Sequence, residues 1–442
     1  MSTTLPDIDL LIKARWIIPV IPENRILENC ALAIHQGKIL AIIPAEGAEQ
    51  RYTAREIVNL GSHAVIPGLV NAHGHAAMSL LRGYADDHPL HTWLNDHIWP
   101  AEGRWVSEDF VRDGTDLAIA EMIKTGTTCF ADMYFYPEQA AQACLDASIR
   151  CQLAFPILDF PTAWGLGPDE YLTKGLSLHD TFRSNHLINI AFGPHAPYTV
   201  SNAPLQKIAV LAHEMDMPIH IHLHETAQEI SDSIKQYGCR PSQRLMDLGL
   251  LSPLTQTVHM TQIDDSDISL LQASGAHVIH CPESNLKLAS GFCPVDRLLK
   301  AGINVAIGTD GAASNNDLDL FSEVKTAALL AKAVAGDATA LSAHTALRMA
   351  TLNGAKALGL EEHIGSLEIG KAADITAIDL GELAMQPVYN PASQLVYTHS
   401  GQAVTHVWVE GKCLLKNREL QTLNEREILG KANWWRKQIA TH

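Results

Sequence analysis

Residues 64–75 read AVIPGLVNAHGH, a short apolar run that ends in two histidines separated by one glycine. Alternate side chains of an extended strand point to the same face, so His73 and His75 are expected to face the same way. Two imidazoles on one face can share a metal ion, and Gly74 leaves room for close approach. The pair could equally be exposed or hydrogen-bonded histidines, so its meaning depends on the surrounding chain.

The apolar run is the first of eight that alternate with stretches whose apolar residues recur at helical spacing. The predicted strands are residues 64–72, 127–133, 151–158, 188–193, 218–223, 257–260, 276–280 and 304–308. Predicted helices such as 109–124, 203–214 and 318–335 lie between them. This alternation predicts an α/β fold, a (β/α)8 TIM-type barrel, in which active sites lie at the carboxyl ends of the strands. A doubly wound open sheet is the alternative, but no Gly-x-Gly-x-x-Gly follows an early strand.

The two ends of the chain have a different pattern, with short strands joined by turns such as Gln36-Gly37 and Glu410-Gly411. The predicted strands are residues 8–12, 31–35, 38–43, 373–378, 404–410 and 411–415. They predict an antiparallel sheet, and neither end is long enough for a sizeable core of its own. We therefore expect a small composite β-sandwich domain from both termini: residues 1–63 as its first part, 64–370 as the barrel, and 371–442 as its second part with a C-terminal helix.

Composition excludes several classes of protein. Of 442 residues 47% are apolar and 18% charged, which predicts a buried core, and the net charge of −17 disfavours nucleic acid and anionic membrane as partners. No apolar run is long enough to span a bilayer, and the first one, broken by Lys13 and Arg15, lacks a cleavage pattern. The eight cysteines include no C-x-x-C pair, so we expect reduced thiols and a cytoplasmic protein.

The fifth predicted strand carries the densest group of histidines, since residues 219–225 read IHIHLHE. Its three imidazoles share one face, and we expect His222, near the barrel mouth with an acid beyond it, to be the ligand. His220 is expected to line a lower layer of the barrel. Glu225 could be a further ligand, a solvent-facing first residue of a helix, or a general acid or base.

Two more candidate ligands end strands six and eight, namely His259 in Val258-His259-Met260 and Asp310 in Gly308-Thr309-Asp310-Gly311. Each alone is explained more simply, as a core histidine and as a turn residue. Together with His73, His75 and His222, however, they gather at one end of the barrel. Nitrogen and oxygen ligands without thiolate suit one divalent metal ion, Zn²⁺ first, with Fe²⁺ or Mn²⁺ as alternatives. An open coordination position would activate water for hydrolysis or hydrolytic deamination.

These motifs together resemble the amidohydrolase superfamily. The resemblance rests on PGLVNAHGH at 67–75, HLHE at 222–225, His259, GTDG at 308–311 and GSLEIGKAAD at 365–374. Binuclear members use a carboxylated lysine after strand four, whereas residues 191–198, AFGPHAPY, contain none, so the resemblance implies a single metal. It also implies the roles of five residues: His73, His75, His222 and Asp310 as metal ligands, and Glu225 as proton shuttle. His259 would orient the attacking water and act with Glu225 and Asp310 as a catalytic group.

Four further segments are similar to the 5′-methylthioadenosine/S-adenosylhomocysteine deaminases of that superfamily, namely residues 98–102, 193–198, 280–291 and 310–316. The similarity implies a small nucleoside substrate and a homo-oligomer. It makes Glu102 the residue that holds the ribose hydroxyls and His195 the partner of an adenine ring nitrogen, with Glu225 and Asp310 also contacting the substrate. Without the family, Glu102 would be interpreted as a surface acid and His195 as a loop histidine.

Other functions compete with this one. An s-triazine chlorohydrolase-like enzyme and a guanine or cytosine deaminase would use the same barrel, but chloride leaves without protonation, so Glu225 favours an amine leaving group. A catalytically inactive scaffold is the alternative of a different class, although every expected ligand is present. An arginine is expected to hold the carboxylate of a homocysteine tail, yet spacing alone names no residue.

Overall fold

Two eight-stranded sheets organise residues 5–440, the part of the chain that the computed structural model describes. In chain order the strands are β1 (Asp7–Ile17), β2 (Leu27–His35), β3 (Lys38–Pro44), β4 (Thr53–Pro67), β5 (Leu69–Asn71), β6 (Thr127–Asp132), β7 (Arg150–Ile157), β8 (Ile188–Pro194), β9 (Ile219–Leu223), β10 (Thr255–His259), β11 (His277–His280), β12 (Val305–Ile307), β13 (Ile375–Asp379), β14 (Val404–Val409), β15 (Lys412–Lys416) and β16 (Glu419–Leu420). Strands β5 to β12 form one sheet and the remaining strands form the other.

The helices fall mostly between the strands of the first sheet. They are α1 (Leu90–Thr92), α2 (Trp99–Trp105), α3 (Glu108–Lys124), α4 (Pro137–Ala147), α5 (Pro168–Phe182), α6 (Asn202–Met215), α7 (Ala227–Tyr237), α8 (Pro241–Asp247), α9 (Asp265–Ser274), α10 (Pro282–Lys287), α11 (Val295–Lys300), α12 (Ala312–Asn315), α13 (Leu320–Ala335), α14 (Ala343–Met349), α15 (Leu352–Ala357), α16 (Pro391–Tyr397) and α17 (Glu425–Ala440). A π-helical segment, Trp93–Ile98, joins α1 to α2. Between residues 5 and 440, no helix combines the length and the apolar character needed to cross a bilayer.

Strands β5 to β12 form a parallel barrel in sequence order, which confirms the predicted fold class. The Ala72 amide donates to the Ile307 carbonyl at 2.9 Å, so hydrogen bonding also joins the first strand to the last. Along β9 the side chains alternate: Ile219, Ile221 and Leu223 belong to the main apolar core, whereas the histidines between them point into the barrel. This alternation is what brings polar groups to the barrel axis.

The first predicted barrel strand, residues 64–72, is wrong in its extent. The structure divides this run between β4, which belongs to the second sheet, and β5, which opens the barrel. The division falls at Gly68, where a Cβ atom would lie 2.0 Å from Thr128 Oγ1. Because only glycine fits against β6 here, the chain passes from one sheet to the other at this position.

The second sheet has the order β16-β15-β14-β13-β4-β1-β2-β3, so strands from both ends of the chain meet in it. Its neighbours are antiparallel except β1 and β4, which run parallel and correct the all-antiparallel prediction. The parallel pair arises because β2 and β3 lie on the outer side of β1 and the chain then returns along its inner side. One apolar cluster contains Leu10 and Ile34 from the first end and Ile375 and Trp408 from the second.

Helix α17 packs against helix α3 on the barrel. Phe110 and Trp435 meet edge to face with their ring centroids 5.2 Å apart, and the Trp435 indole donates to Asp113 at 3.0 Å. The division at residues 63/64 and 370/371 stays a prediction, and β4 runs across its first boundary. Residues 1–4 and 441–442 of that division lie outside the described chain.

Candidate active site

The five strand-end groups lie together at the carboxyl end of the barrel. His73 and His75 follow β5, His222 lies near the end of β9, His259 ends β10, and Asp310 follows β12. All except His75 are less than a tenth exposed. Nitrogen and carboxylate atoms of two overlapping triads lie within 4.8 Å of one another: His73, His222 and His259, and His73, His75 and Asp310.

Four ligand atoms form a chain of close contacts, in which His73 Nε2 is shared by the two triads. Asp310 Oδ1 lies 3.3 Å from His73 Nε2 and 3.2 Å from His75 Nε2, and His222 Nε2 lies 3.3 Å from His73 Nε2. The opposite ring nitrogens are occupied, since His75 Nδ1 donates to the Met133 carbonyl at 2.7 Å and His222 Nδ1 to the His195 carbonyl at 2.8 Å. Because a carbonyl only accepts hydrogen bonds, Nδ1 of each ring carries a proton, and Nε2 is the atom that faces the neighbouring ligand atoms.

The third imidazole is oriented by a buried chain of amides. The Gln256 amide donates to the Ala357 carbonyl at 2.8 Å, which turns its oxygen toward His220 Nδ1 at 2.6 Å. His220 Nε2 is therefore the acceptor for His73 Nδ1 at 2.7 Å, which leaves the Nε2 lone pair of His73 free. Three imidazole nitrogens and one carboxylate oxygen thus lie close together, a donor set that fits one Zn²⁺ ion.

Electrostatics agree with this fit. Burial holds the pKa values of His73 and His222 well below the ordinary histidine range, which keeps both rings neutral. Burial acts the same way on His75, but its contact with Asp310 outweighs this and raises the pKa to about 9. Burial would raise the pKa of Asp310, yet the two histidines hold it well below its ordinary value. Without a cation, a proton therefore sits between His75 and Asp310.

The backbone around Asp310 is locally constrained. Asp310 has φ of 61°, its Oδ1 accepts from the Gly311 amide at 2.8 Å, and its Oδ2 accepts from Ser284 Oγ at 2.7 Å. The glycine that permits close approach is Gly308, where a Cβ would lie 2.7 Å from the His73 nitrogen. The sequence pattern points to Gly74 instead. A Cβ on Gly74 would lie 3.4 Å from the nearest atom, so Gly74 is less constrained than Gly308.

Glu225 lies beside this cluster with its carboxyl group almost free. Oε2 is 3.7 Å from His259 Nε2, and Oε1 accepts a long hydrogen bond of 3.5 Å from Ser290. Burial raises the pKa of this carboxyl. Its backbone is held firmly instead, since its amide donates to Glu229 at 2.8 Å and its carbonyl accepts from Thr261 at 2.6 Å. A buried, weakly paired carboxyl group is suited to proton transfer.

His259 is fixed in a strained position. Its φ is 80°, in the left-handed region that non-glycine residues rarely adopt, and its Nδ1 donates to the Asn285 amide oxygen at 2.9 Å. The ring stacks on His222 with centroids 5.4 Å apart, so Nε2 faces Glu225 and the ligand cluster. The third histidine of the 219–225 segment, His224, turns away and accepts from the Ser242 amide at 3.0 Å.

Glu102 and His195 line the same pocket as the ligand cluster. Tyr134 Oη donates to Glu102 Oε1 at 2.6 Å, and burial raises the pKa of this carboxyl to about 7. His195 Nδ1 lies 3.0 Å from Thr199 Oγ1, and burial lowers the pKa of the imidazole to about 4. Seven of the eight sequence-predicted residues therefore line one cavity, and the eighth, His73, is fully buried beside them in contact with Asp310 and His222.

Three positioning residues were missed by the sequence reasoning: Glu229, Gln256 and Asn285. Glu229 follows Glu225 by one helical turn, a spacing that the sequence does display, and its carboxylate accepts the amides of both His224 and Glu225. Gln256 and Asn285 carry no such signal, because their roles depend on which strands become neighbours.

The family comparison covers most of the chain. The profile described as "Amidohydrolase family" matches residues 64–414. A protein of Saccharophagus degradans named 5-methylthioadenosine/S-adenosylhomocysteine deaminase is 60% identical over 431 residues, which are 98% of this chain and 97% of the relative.

Two solved structures illustrate the structural likeness. An adenosine deaminase from Xanthomonas campestris with bound zinc has a TM-score of 0.98 and 49% identity, covering 99% of this chain and all of the other. An atrazine chlorohydrolase from Arthrobacter aurescens complexed with zinc has a TM-score of 0.90 and 24% identity, covering 96% of this chain and 99% of that chain. At the latter identity the likeness concerns the fold alone.

Proposed function

Because this chain belongs to the amidohydrolase family, we propose that it is a metal-dependent hydrolytic deaminase that converts 5′-methylthioadenosine and related adenosines to the inosine analogue and ammonia. The name of the Saccharophagus relative and that of the zinc-containing Xanthomonas structure both support an adenosine-type substrate. The observation that carries the proposal is the Glu225 carboxyl, buried and nearly unpaired, 3.7 Å from His259 and beside the converging ligand atoms.

We assign the metal to His73, His75, His222 and Asp310, because His73 Nε2 lies 3.3 Å from both Asp310 Oδ1 and His222 Nε2, and His75 Nε2 lies 3.2 Å from Asp310 Oδ1. When bound, a divalent ion would supply Lewis acidity that makes water a nucleophile near neutral pH. We propose Zn²⁺ because the donor set is nitrogen and oxygen, with Fe²⁺ and Mn²⁺ as the alternatives.

Substrate positioning follows from the pocket wall. In the proposal Glu102 holds the vicinal ribose hydroxyls, since its two carboxylate oxygens offer about four acceptor sites and Tyr134 occupies one of them. His195 pairs with an adenine ring nitrogen through the imidazole edge that faces the pocket. With its sugar held by Glu102 and its base by His195, the nucleoside would present its amine-bearing carbon to the ligand cluster.

Proton transfer is assigned to Glu225. It takes a proton from the attacking water and delivers it to the ring nitrogen adjacent to the amine-bearing carbon, so that the carbon becomes tetrahedral. Asp310 and His259 accept hydrogen bonds from the new hydroxyl group until its proton is transferred. Glu225, having given its first proton to the ring nitrogen, takes the proton of the new hydroxyl group and passes it to the departing amine, so that ammonia leaves together with the 6-oxo product.

The triazine hydrolase alternative is disfavoured by sequence similarity, because the chain is 60% identical to the relative named as a deaminase but 24% identical to the atrazine chlorohydrolase. All eight cysteines lie in the described chain and none has a partner for a disulfide, Cys30, Cys129, Cys144 and Cys151 included. We therefore also propose a reducing compartment, the cytoplasm.

The test is a substrate panel for zinc-loaded protein: methylthioadenosine, S-adenosylhomocysteine, adenosine, guanine, cytosine and a chloro-s-triazine. Ammonia release and the adenine-to-hypoxanthine absorbance change are followed, with chloride release measured for the triazine. We expect turnover confined to the adenosines. Absence of turnover on all three adenosines, with one metal bound per chain, would contradict the proposal and the roles of Glu102 and His195.

A further inference from the structure

The pocket places its polar groups on one side. The titratable side chains of its wall are the metal-site residues and Glu225, Glu102, His195 and two tyrosines, Tyr134 and Tyr198. With the base at the ligand cluster and the ribose hydroxyls at Glu102, as the proposed function requires, these groups are used by the purine and the sugar. The 5′ substituent must then meet the remaining wall.

That remaining wall is apolar and largely aromatic. Leu90 and Leu94 contribute from the segment before α2, Trp99 lies one helical turn before Glu102 on α2, and Phe160 comes from the loop after β7. Residues three apart on a helix share a face, so Trp99 adjoins the position of the ribose. The Trp99 and Phe160 rings meet edge to face, with centroids 6.0 Å apart and an interplanar angle of 60°.

Between residues 5 and 440, no lysine or arginine lines this pocket. The nearby cations serve other groups: Lys287 Nζ is 2.6 Å from Asp86, and Lys174 Nζ is 2.7 Å from Glu170. Arg244 donates to the carbonyls of Pro197 and Val200 beneath the Tyr198 loop.

The acids that do line the pocket are Glu102, Glu225 and Asp310. A carboxylate on the substrate would therefore meet apolar side chains and like charge, with no opposite charge in the wall to compensate its lost hydration. A thioether meets the opposite situation, because its sulfur and methyl group are polarizable, uncharged and well suited to contact with aromatic rings.

We propose that this pocket selects adenosines whose 5′ substituent is apolar and uncharged, with methylthioadenosine preferred over S-adenosylhomocysteine. The inference rests on the proposed function and narrows it to one of the two substrates in the relatives' name. It also answers the expectation of an arginine for the homocysteine carboxylate: the described pocket wall contains none. The specificity is thus set by Trp99, Phe160 and the leucines beside them.

The first experiment compares kcat/KM of the zinc-loaded enzyme for methylthioadenosine, 5′-butylthioadenosine and S-adenosylhomocysteine. The butyl compound matches the homocysteine tail in carbon chain length but carries no charge, so it separates size from charge. We expect S-adenosylhomocysteine to fall at least about 100-fold below the butyl compound, as an unpaired charged group in an apolar site requires. A smaller difference would overturn the inference while leaving the deaminase assignment intact. If neither thioether nor adenosine reacts, the proposed function itself fails.

The second experiment asks whether the 5′ substituent contacts the aromatic wall. Phe160→Ala should lower the ratio of kcat/KM for methylthioadenosine to that for adenosine by about tenfold, because adenosine has no thioether to place there. Phe160→Leu should restore part of the ratio by refilling the wall. Tyr389→Ala, which removes an aromatic ring that is 93% exposed and absent from the pocket wall, is the matched control. An unchanged ratio in Phe160→Ala would overturn the placement of the substituent.

Discussion

At the scale of single residues, the direction of each ring nitrogen decides what the site can hold. One ring N–H of His75 and one of His222 donate to backbone carbonyls, and one ring N–H of His73 donates to His220. The other ring nitrogen of each histidine therefore faces the ligand cluster. These partners fix the tautomers before any ion arrives. The site is therefore preorganised for a cation rather than assembled by it.

The first residue-scale prediction concerns Glu225. Glu225→Gln keeps the shape of the side chain but removes the proton relay, so turnover of methylthioadenosine should fall by roughly three orders of magnitude or more. Bound metal, measured by atomic emission on the purified protein, should stay at the wild-type amount because Glu225 is not among the converging ligands. Wild-type-like turnover in this variant would end the assignment of Glu225.

The second residue-scale prediction concerns His73. His73→Ala removes the one group that belongs to both ligand triads, so metal affinity and activity should fall together. Competition with a chelator measures the affinity directly. Stoichiometric metal that resists the chelator as well as wild type does would show that the ligand assignment is wrong.

Strand alternation and strand ends are visible in the sequence and predicted five candidate ligands, the four assigned metal ligands and His259, from which the family resemblance selected the four. His73, His75, His222 and Asp310 each follow an apolar run, and parallel strands of a barrel end at one mouth. The partners that orient these ligands cannot be predicted from the sequence. The His195 carbonyl and the Gln256 amide act across neighbouring strands, and nothing in the sequence states which strands those are.

At the scale of elements, the start of α7 positions the Glu225 backbone. Thr226 caps this helix by accepting from the Glu229 amide, and Glu229 in turn accepts the amides of His224 and Glu225 at 3.0 and 2.8 Å. The turn between β9 and α7 is thus closed by a buried carboxyl group. Burial raises the pKa of Glu229 to about 8.

This closure gives an element-scale prediction. Glu229→Leu should lower kcat by about 10- to 100-fold with little change in KM, because the turn that aims Glu225 loses both acceptors. Glu229→Gln retains one acceptor and should recover part of kcat, a rescue that a merely space-filling role would not require. A KM that changes in proportion to kcat in both variants, at unchanged thermal stability, would contradict a positioning role.

Element boundaries show where sequence patterns stop being informative. The apolar run at 64–72 is predicted to be one strand, yet the structure divides it at Gly68, which packs against Thr128, into strands of two different sheets. Likewise, the parallel pairing of β1 with β4 involves residues far apart in the chain. The sequence pattern indicates that a strand is buried on both faces, but it does not indicate to which sheet the strand belongs.

At the scale of the whole molecule, buried neutral histidines link stability to pH. Burial lowers the pKa of His277 and His406 to about 4 and that of His280 to about 3, against 6.5 for an exposed ring. Between these values each of the three rings binds a proton in the unfolded chain but not in the folded one, so the stability that these rings contribute is lost as pH falls below about 6.5. Each such ring contributes up to about 1.4 kcal/mol per pH unit.

The prediction is that these histidines lower the thermal midpoint as the pH falls from 7 to 5, whereas the raised pKa values of Glu102 and Glu229 act in the opposite direction. His277 is a suitable reporter because it lies at the start of β11, away from the catalytic mouth, where its ring bonds the Pro253 carbonyl and Asn304. His277→Gln, which cannot titrate, should flatten the dependence. Calorimetry across this range checks it, and a steeper fall in the variant than in wild type would refute the linkage.

The most direct measurement of the central claim is a metal titration of activity. Protein stripped of metal by a chelator is returned to increasing Zn²⁺ while ammonia release from methylthioadenosine is followed. The account predicts no turnover in the stripped protein and a linear rise that breaks at one zinc per chain, because the four ligands form a single cluster. Full activity without metal, or a break at two ions per chain, would contradict a mononuclear hydrolytic deaminase.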